Sequence, residues 1–195
     1  MTEQIIPAIL ARRAHRALSD RPIEHGRIES ILYAAHFAPS CSNNQPWRFV
    51  AIDDPAVLDR VKQHLTRGNY WAAPSPLIVA VTSRSDLDCE IPDGRRYHLF
   101  GCGMASMNLM VQATELGLIA HPIAGFKQAP IKEVLGIPDS YELITLIIVG
   151  YPGGDVVSLS EKHQAEEIST RTRRPLNEVL SWNSWTFVED ATQER

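Results

Sequence analysis

The chain is poor in cysteine: Cys41, Cys89 and Cys102 are the only three among 195 residues. An odd number at irregular spacing makes neither a disulfide framework nor a zinc pattern. Cys41 has no histidine beside it in sequence to activate its thiol and reads as a small packed residue. A surplus of positive charge is missing too. Nineteen Lys and Arg against 23 Asp and Glu leave a net charge of −4, so nothing draws the chain as a whole to nucleic acid or an anionic membrane. No apolar signal core follows the first charges, and Glu3 argues further against export. The longest weakly charged run, Leu99 to Thr114, carries Ser106, Asn108 and Gln112 and is too polar to span a bilayer. Cytoplasm is the expected compartment. There is no Gly-x-Ser-x-Gly elbow and no Walker-type loop. Gly101-x-Gly103-x-x-Ser106 lacks a third glycine, a clear preceding strand and an acidic residue roughly 20 positions on, so it reads as helix packing rather than a dinucleotide fingerprint. His98 and Cys102, one helical turn apart, are two ligands and not a metal site.

What is present is ordinary periodicity. No repeat, low-complexity tract or linker divides the chain, and its length suits one domain, 1–195. The pattern predicts a helix from near Pro7 to Arg13 and a second over about Glu24 to Phe37, with Ile28, Ile31, Leu32 and Ala35 inward. Trp47 to Ile52 reads as a strand, with Trp47 in the core. Asp54-Pro55 opens a helix to about Leu65, with Val57, Leu58 and Val61 inward. Leu77 to Thr82 and Leu143 to Val149 are buried strands. Tyr97 to Leu116 is the longest helix and is apolar nearly all round, which suggests a central helix at a subunit interface. Lys132 to Leu135 is a short helix ended by Gly136. After the Leu143 to Val149 strand and its stop at Gly150 to Gly154 the sequence turns polar through Thr172, before a helical turn at Leu176 to Leu180. Trp182, Trp185 and Phe187 near the end need a surface to lie on, and packing across a dimer supplies one.

Three segments could carry chemistry. Ala38-Pro39-Ser40-Cys41-Ser42-Asn43-Asn44-Gln45-Pro46-Trp47 joins a helix to a strand with far more hydroxyl and amide groups than a connection needs. Such groups can read a planar, heteroatom-rich ligand; equally, Ser and Asn build turns and caps. Arg12, Arg13 and Arg16 suit phosphate because a guanidinium makes paired charge-assisted hydrogen bonds, although a helix C-terminus also favours cations. Arg171, Arg173 and Arg174 read by themselves as a solvated basic run.

Taken in order along the chain, Arg12-Arg13-Ala14-His15-Arg16, the Pro39 to Trp47 loop, Gly117 to Phe126 and Arg171 to Leu176 resemble the nitroreductase family of flavin enzymes. The resemblance implies an α+β fold: a central, mainly antiparallel sheet flanked by helices, built as an intertwined homodimer with two FMN sites at the interface. It implies that Arg12, Arg13 and Arg16 bind the FMN phosphate and ribityl chain, with Arg16 also the candidate for charge near N1 and O2. Ala14 stands where the family usually has serine. Arg171 and Arg173 would complete the phosphate clamp. Pro39, Ser40, Asn43 and Gln45 match positions that reach the flavin from the neighbouring subunit, and Asn69 matches a further ring contact. Pro122, Ile123, Ala124 and Gly125 would lie along the ring edge near N5, where Gly125 permits close backbone approach. Gly101 replaces an acidic residue usual at the start of the long helix, which removes a salt bridge.

The implied activity is an FMN-dependent oxidoreductase with NADH or NADPH as donor and nitroaromatic or quinone acceptors, working by a ping-pong mechanism, with no side chain required as acid or base. Two alternatives stand beside it. One is another flavin reaction on the same fold, such as dehydrogenation, dehalogenation or flavin breakdown. The other is a non-catalytic flavin-binding protein. The polar stretch from Thr82 to Arg96 matches no lid that would choose among them.

Overall fold

The computed structural model describes residues 5–187. In chain order the helices are α1 (Pro7–Ala11), α2 (His25–His36), α3 (Pro55–Lys62), α4 (Tyr97–Glu115), α5 (Gln128–Leu135) and α6 (Glu161–Ile168). The strands are β1 (Arg48–Ile52), β2 (Leu77–Ser83), β3 (Ile119–Ile123) and β4 (Glu142–Gly150). They form one antiparallel sheet in the order β1-β2-β4-β3. All seven residues of β2 are buried, which explains its unbroken apolar run: both faces of a central strand are covered.

Alternation divides the core into two layers. Leu77, Val79, Val81, Ile147 and Val149 pack with Ile28, Ile31 and Ala35 of α2 and with Cys102, Ala105 and Leu109 of α4. Ile78, Ala80, Leu146 and Ile148 turn the other way, onto Leu58 and Val61 of α3 and Ile131 of α5. Trp47 is core as expected, with its indole N–H 3.4 Å from His36 Nδ1. Local signals set the helix ends. Asp54 caps α3, its side chain accepting from Val57 N at 3.0 Å, and Gly136 closes α5 in the left-handed region at φ 66°.

Three sequence expectations are corrected. α1 ends at Ala11, and Arg12 is extended with ψ 121°, so Arg12 to Arg16 leave the helix and the helix-dipole reading falls away. β3 was not anticipated because it contains His121 and Pro122; an edge strand tolerates a proline whose nitrogen needs no partner. α6 lies inside the stretch read only as polar. It buries no residue and so shows no apolar stripe, and Ser160 marks its start, accepting from His163 N at 3.4 Å.

α4 turns His98, Gly101, Cys102, Ala105, Ser106, Leu109 and Ala113 into the protein. Gly101 has a steric reason: a Cβ there would sit 3.3 Å from Pro46 Cγ, so the acidic side chain common in the family has no room without a shift. On the outer side, Met107 and Val111 of α4 join Ile6, Ile9, Tyr33 and Phe37 around an apolar groove of about 660 Å³. Phe37 is 75% exposed and Tyr33 67%. Trp182 and Trp185 are exposed as well.

Candidate cofactor site

The arginines from the two ends of the chain come together. Arg12, Arg13 and Arg16, just after α1, face Arg171 and Arg173, just after α6, across a cavity of about 310 Å³ that Ser169 and Thr170 also line. Hydrogen bonds hold the two segments in register. Arg13 Nη2 donates to Glu166 O at 3.4 Å and to Ser169 Oγ at 3.5 Å. The Arg171 guanidinium donates to the Arg12 carbonyl and, at 3.3 Å, to that of Ile9. Glu167 does most to shape the turn: its carboxylate accepts from Arg16 N at 2.9 Å and Ala17 N at 3.4 Å and pairs with His15 Nδ1 at 2.9 Å.

This arrangement sorts the arginine roles. Burial, followed by the charges of Arg171, Arg173 and Arg13, holds the Arg12 guanidinium below its ordinary pKa. Like charges packed this way repel, and an anion among them relieves the repulsion. Arg173 is exposed and, among the described residues, bonds only its neighbour, the Thr172 carbonyl, at 2.7 Å. Arg171 spends donors on two backbone carbonyls, so it positions Arg12 in addition to facing the cavity. Arg16 pairs with Glu166 at 2.7 Å, which balances its charge; its guanidinium also lies 6.0 Å from the centre of the Trp71 ring.

Beyond β3 the chain passes through Ala124 and Gly125. The Gly125 carbonyl accepts from Thr66 N at 2.9 Å, Thr66 Oγ1 at 3.0 Å and Asn69 Nδ2 at 2.8 Å. A Cβ on Gly125 would fall on Thr66 Oγ1 and lie 2.6 Å from Asn69 Nδ2, so close packing explains the glycine. Asn69, expected at the ring, holds Gly125 in place through its amide. The Ile123 side chain is buried in the core, so its backbone is what it offers a ligand. Pro122 and Ala124 are exposed.

His121, on β3, stacks on Trp71 with ring centres 4.4 Å apart. Its Nδ1 lies 3.2 Å from the His15 carbonyl, which can only accept, so Nδ1 carries the proton. Burial is the main cause that pushes the imidazole down to about 4 from 6.5. Between those values the unfolded chain binds a proton that the folded one refuses, so stability falls as pH drops through this window. We expect about 3 kcal/mol to be lost between pH 7 and pH 4 through this residue. His121→Phe should flatten that part of the pH profile in chemical denaturation; an unaltered profile would show that another group titrates.

The Pro39 to Gln45 loop is a compact left-handed turn. Ser42, Asn43 and Gln45 have φ of 47°, 57° and 52°, a region in which non-glycine residues are uncommon. Ser40 Oγ accepts from Gln45 N at 2.9 Å, and Gln45 Nε2 donates to Asn43 O at 2.9 Å. The hydroxyl and amide groups therefore do build the turn, while Pro39 and Asn43 remain exposed on it. Cys41 overturns the expectation of a small packed residue and of no disulfide: it is bonded to Cys89. Spacing could not show this, because the partner lies 48 residues on in the polar stretch after β2. The Asp88 carboxylate approaches the same sulfurs, but sulfurs bonded to each other are not metal ligands.

By register, the loop enters β1 at the end of the sheet where β3 leaves it toward Gly125. β1 and β3 are opposite edges of the sheet, three strand spacings or about 14 Å apart. The residues that sequence reasoning missed, Thr66, Glu166, Glu167 and Asp88, act on backbone groups or distant segments and carry no local motif.

Fold and site together define an antiparallel α+β protein with an arginine-lined pocket assembled from both ends of its chain and a polar loop displaced to the far sheet edge. The Nitroreductase family model matches residues 9–72 and 64–151, and the chain belongs to that family. It is 30% identical over 158 residues, 77% of this chain and 86% of the other, to an Archaeoglobus fulgidus protein provisionally named as an NADH dehydrogenase/NAD(P)H nitroreductase. It is 27% identical over 185 residues, 79% of this chain and 82% of the other, to an iodotyrosine deiodinase of Haliscomenobacter hydrossis. Among solved structures, an oxidoreductase containing FMN superposes with a TM-score of 0.85 at 30% identity, covering 96% of both chains. Among the described residues, no helix is long and apolar enough to cross a membrane.

Proposed function

We propose that residues 1–195 act as one FMN-binding unit and that the protein is an FMN-dependent NAD(P)H oxidoreductase. In this reading it is a cytoplasmic homodimer that passes two electrons to a nitroaromatic or quinone acceptor in a ping-pong sequence. The observation that carries the reading is the arginine pocket. Its crowded positive charge, half-buried at Arg12 and open at Arg173, fits the phosphate of FMN. Bound there, FMN would supply the hydride and electron chemistry.

The chain's own residues then bind and orient. Arg12, Arg13 and Arg173 take the phosphate, while Glu167 and Arg171 hold the first segment in place. Thr66 and Asn69 pin Gly125, so that the backbone from Pro122 onward lies along the ring edge without a side chain intervening. Ser40, Asn43 and Gln45 supply polar groups to the site of the partner subunit, which accords with their place on the opposite sheet edge. The exposed Tyr33 and Phe37 beside α4 give that partner an apolar face to cover. The reactions named for the two relatives differ, and a shared fold does not select between them.

An anaerobic absorbance spectrum of the purified protein, before and after NADH and then NADPH, tests the reading. We expect a band near about 450 nm, where flavins absorb, that bleaches with one nucleotide or both. A band that neither nucleotide bleaches would point instead to a flavin-binding protein or another donor. No flavin, even after reconstitution with FMN, would sink the proposal.

A further inference from the structure

We propose that Cys41 and Cys89 form a reversible, redox-active disulfide that sets the shape of the Pro39 to Gln45 loop and thereby tunes FMN binding to the state of the surrounding thiol pool. The second half of this inference rests on the flavin role proposed for the loop.

The bond joins the middle of the loop to a segment that no strand or helix pairs with it. Its surroundings depend on it. Ser42, Asn43 and Gln45 follow Cys41 within four positions, and all three are left-handed without being glycine. Such a run persists only where its surroundings hold it. The hydrogen bonds to Ser40 and Asn43 are internal to the loop; its ties to the rest of the protein include Arg48 Nη1, which donates to Gln45 O at 3.1 Å beside the first strand, but those at the tip converge on Cys89, through the disulfide, and on its neighbour Asp88, whose Oδ1 lies 3.5 Å from Asn44 Nδ2. Opening the bond removes the covalent tie at the tip and leaves hydrogen bonds alone to hold it, and the loop relaxes toward ordinary backbone angles. Ser40 and Asn43 then lose their fixed spacing.

Access separates this pair from the third cysteine. Cys102 is 1% exposed, and burial pushes its thiol up to about 11, which makes it inert toward exchange. Cys41 and Cys89 are half-buried, and Cys89 lies on the wall of a cavity of about 480 Å³ beside Ser85, Glu90 and Tyr97. A disulfide that solvent can reach in a reducing compartment is of the exchanging kind rather than the purely structural kind.

The chemistry has a preferred direction. Asn44 Nδ2 lies 3.4 Å and Ser42 Oγ 3.6 Å from Cys89 Sγ, so negative charge leaving onto that sulfur meets two donors. A dithiol reductant attacks Cys41 Sγ as a thiolate. The S–S bond breaks, its electron pair goes to Cys89 Sγ, and that sulfur takes up a proton. The second thiol of the reductant then attacks its own sulfur in the mixed disulfide and releases the Cys41 thiol. Two thiols of the reductant become a disulfide as the protein disulfide becomes two thiols, a transfer of two electrons and two protons.

Protein purified without reductant and denatured anaerobically should show one titratable thiol, Cys102, and dithiothreitol should expose all three. FMN affinity, followed by flavin fluorescence with and without dithiothreitol, should fall about tenfold on reduction, a usual size for coupling between two sites. Cys41→Ser and Cys89→Ser should bind like the reduced protein and ignore dithiothreitol. Amide exchange over residues 40–45 should rise on reduction, and oxidised glutathione should reverse both changes. Three free thiols in the air-purified protein would overturn the proposal, as would equal affinity and equal exchange in the two states. If neither state binds FMN but exchange still rises, the flavin role of the loop falls while the disulfide's control of its shape stands.

Discussion

Replacing Arg12 and Arg173 together with Ala should leave a folded protein that has lost FMN, with affinity down by about 100-fold. Hydrogen bonds to a charged group contribute about 1.5–3 kcal/mol each, and the exposure of Arg173 puts its share at the low end or below. The pair then amounts to roughly 3 kcal/mol, which is two powers of ten. The apo protein should not be weakened. Arg12 is crowded by Arg171, Arg173 and Arg13, so removing two of these charges relieves repulsion. Equilibrium dialysis of FMN beside a thermal melt separates the two effects. Stoichiometric FMN retained by the double variant would refute the phosphate site.

Glu167→Ala should do the reverse, lowering stability and cofactor affinity together. Its carboxylate is the acceptor for Arg16 N and Ala17 N and the partner of His15, and little of it is exposed, 10%. Removing it leaves two partly buried N–H groups without this acceptor, a cost of roughly 2–4 kcal/mol. In a protein of this size that lowers the melting temperature by about 5–10 °C. The turn from Arg12 to Ala17 loses its anchor, so FMN binding weakens although no group that touches it has changed. Glu167→Gln keeps one acceptor oxygen and should recover part of both losses. A melt within about a degree of the parent protein would mean that Glu167 only decorates the turn.

The core layers were legible because hydrophobic period and chain direction settle them locally. Ile28, Ile31 and Ala35 recur at helical spacing and are buried together; Leu77 to Thr82 is an apolar run and proves fully covered. β3 was not legible, since His121 and Pro122 interrupt its pattern and, among the described residues, it pairs with β4 alone. The same contrast runs through the site. Arg12, Arg13 and Arg16 stand out in a line of sequence, whereas Glu166 and Glu167 look like any acidic pair on a solvated helix until α6 is folded against the segment that follows α1.

By itself the sequence determined the residue types of the arginine pocket, the polar loop, the main core strands and helices and, through the resemblance carried by these motifs, the family. Each of these depends on neighbours within a few positions, where side-chain chemistry and backbone period are fixed by covalent order. Tertiary structure alone decided that Arg171 braces the backbone at Arg12, that Asn69 holds Gly125, and that Cys41 is bonded to Cys89. Those outcomes depend on distances between groups 48 to more than 150 positions apart, and no local pattern encodes such a distance until burial of the two core layers has set the path of the chain.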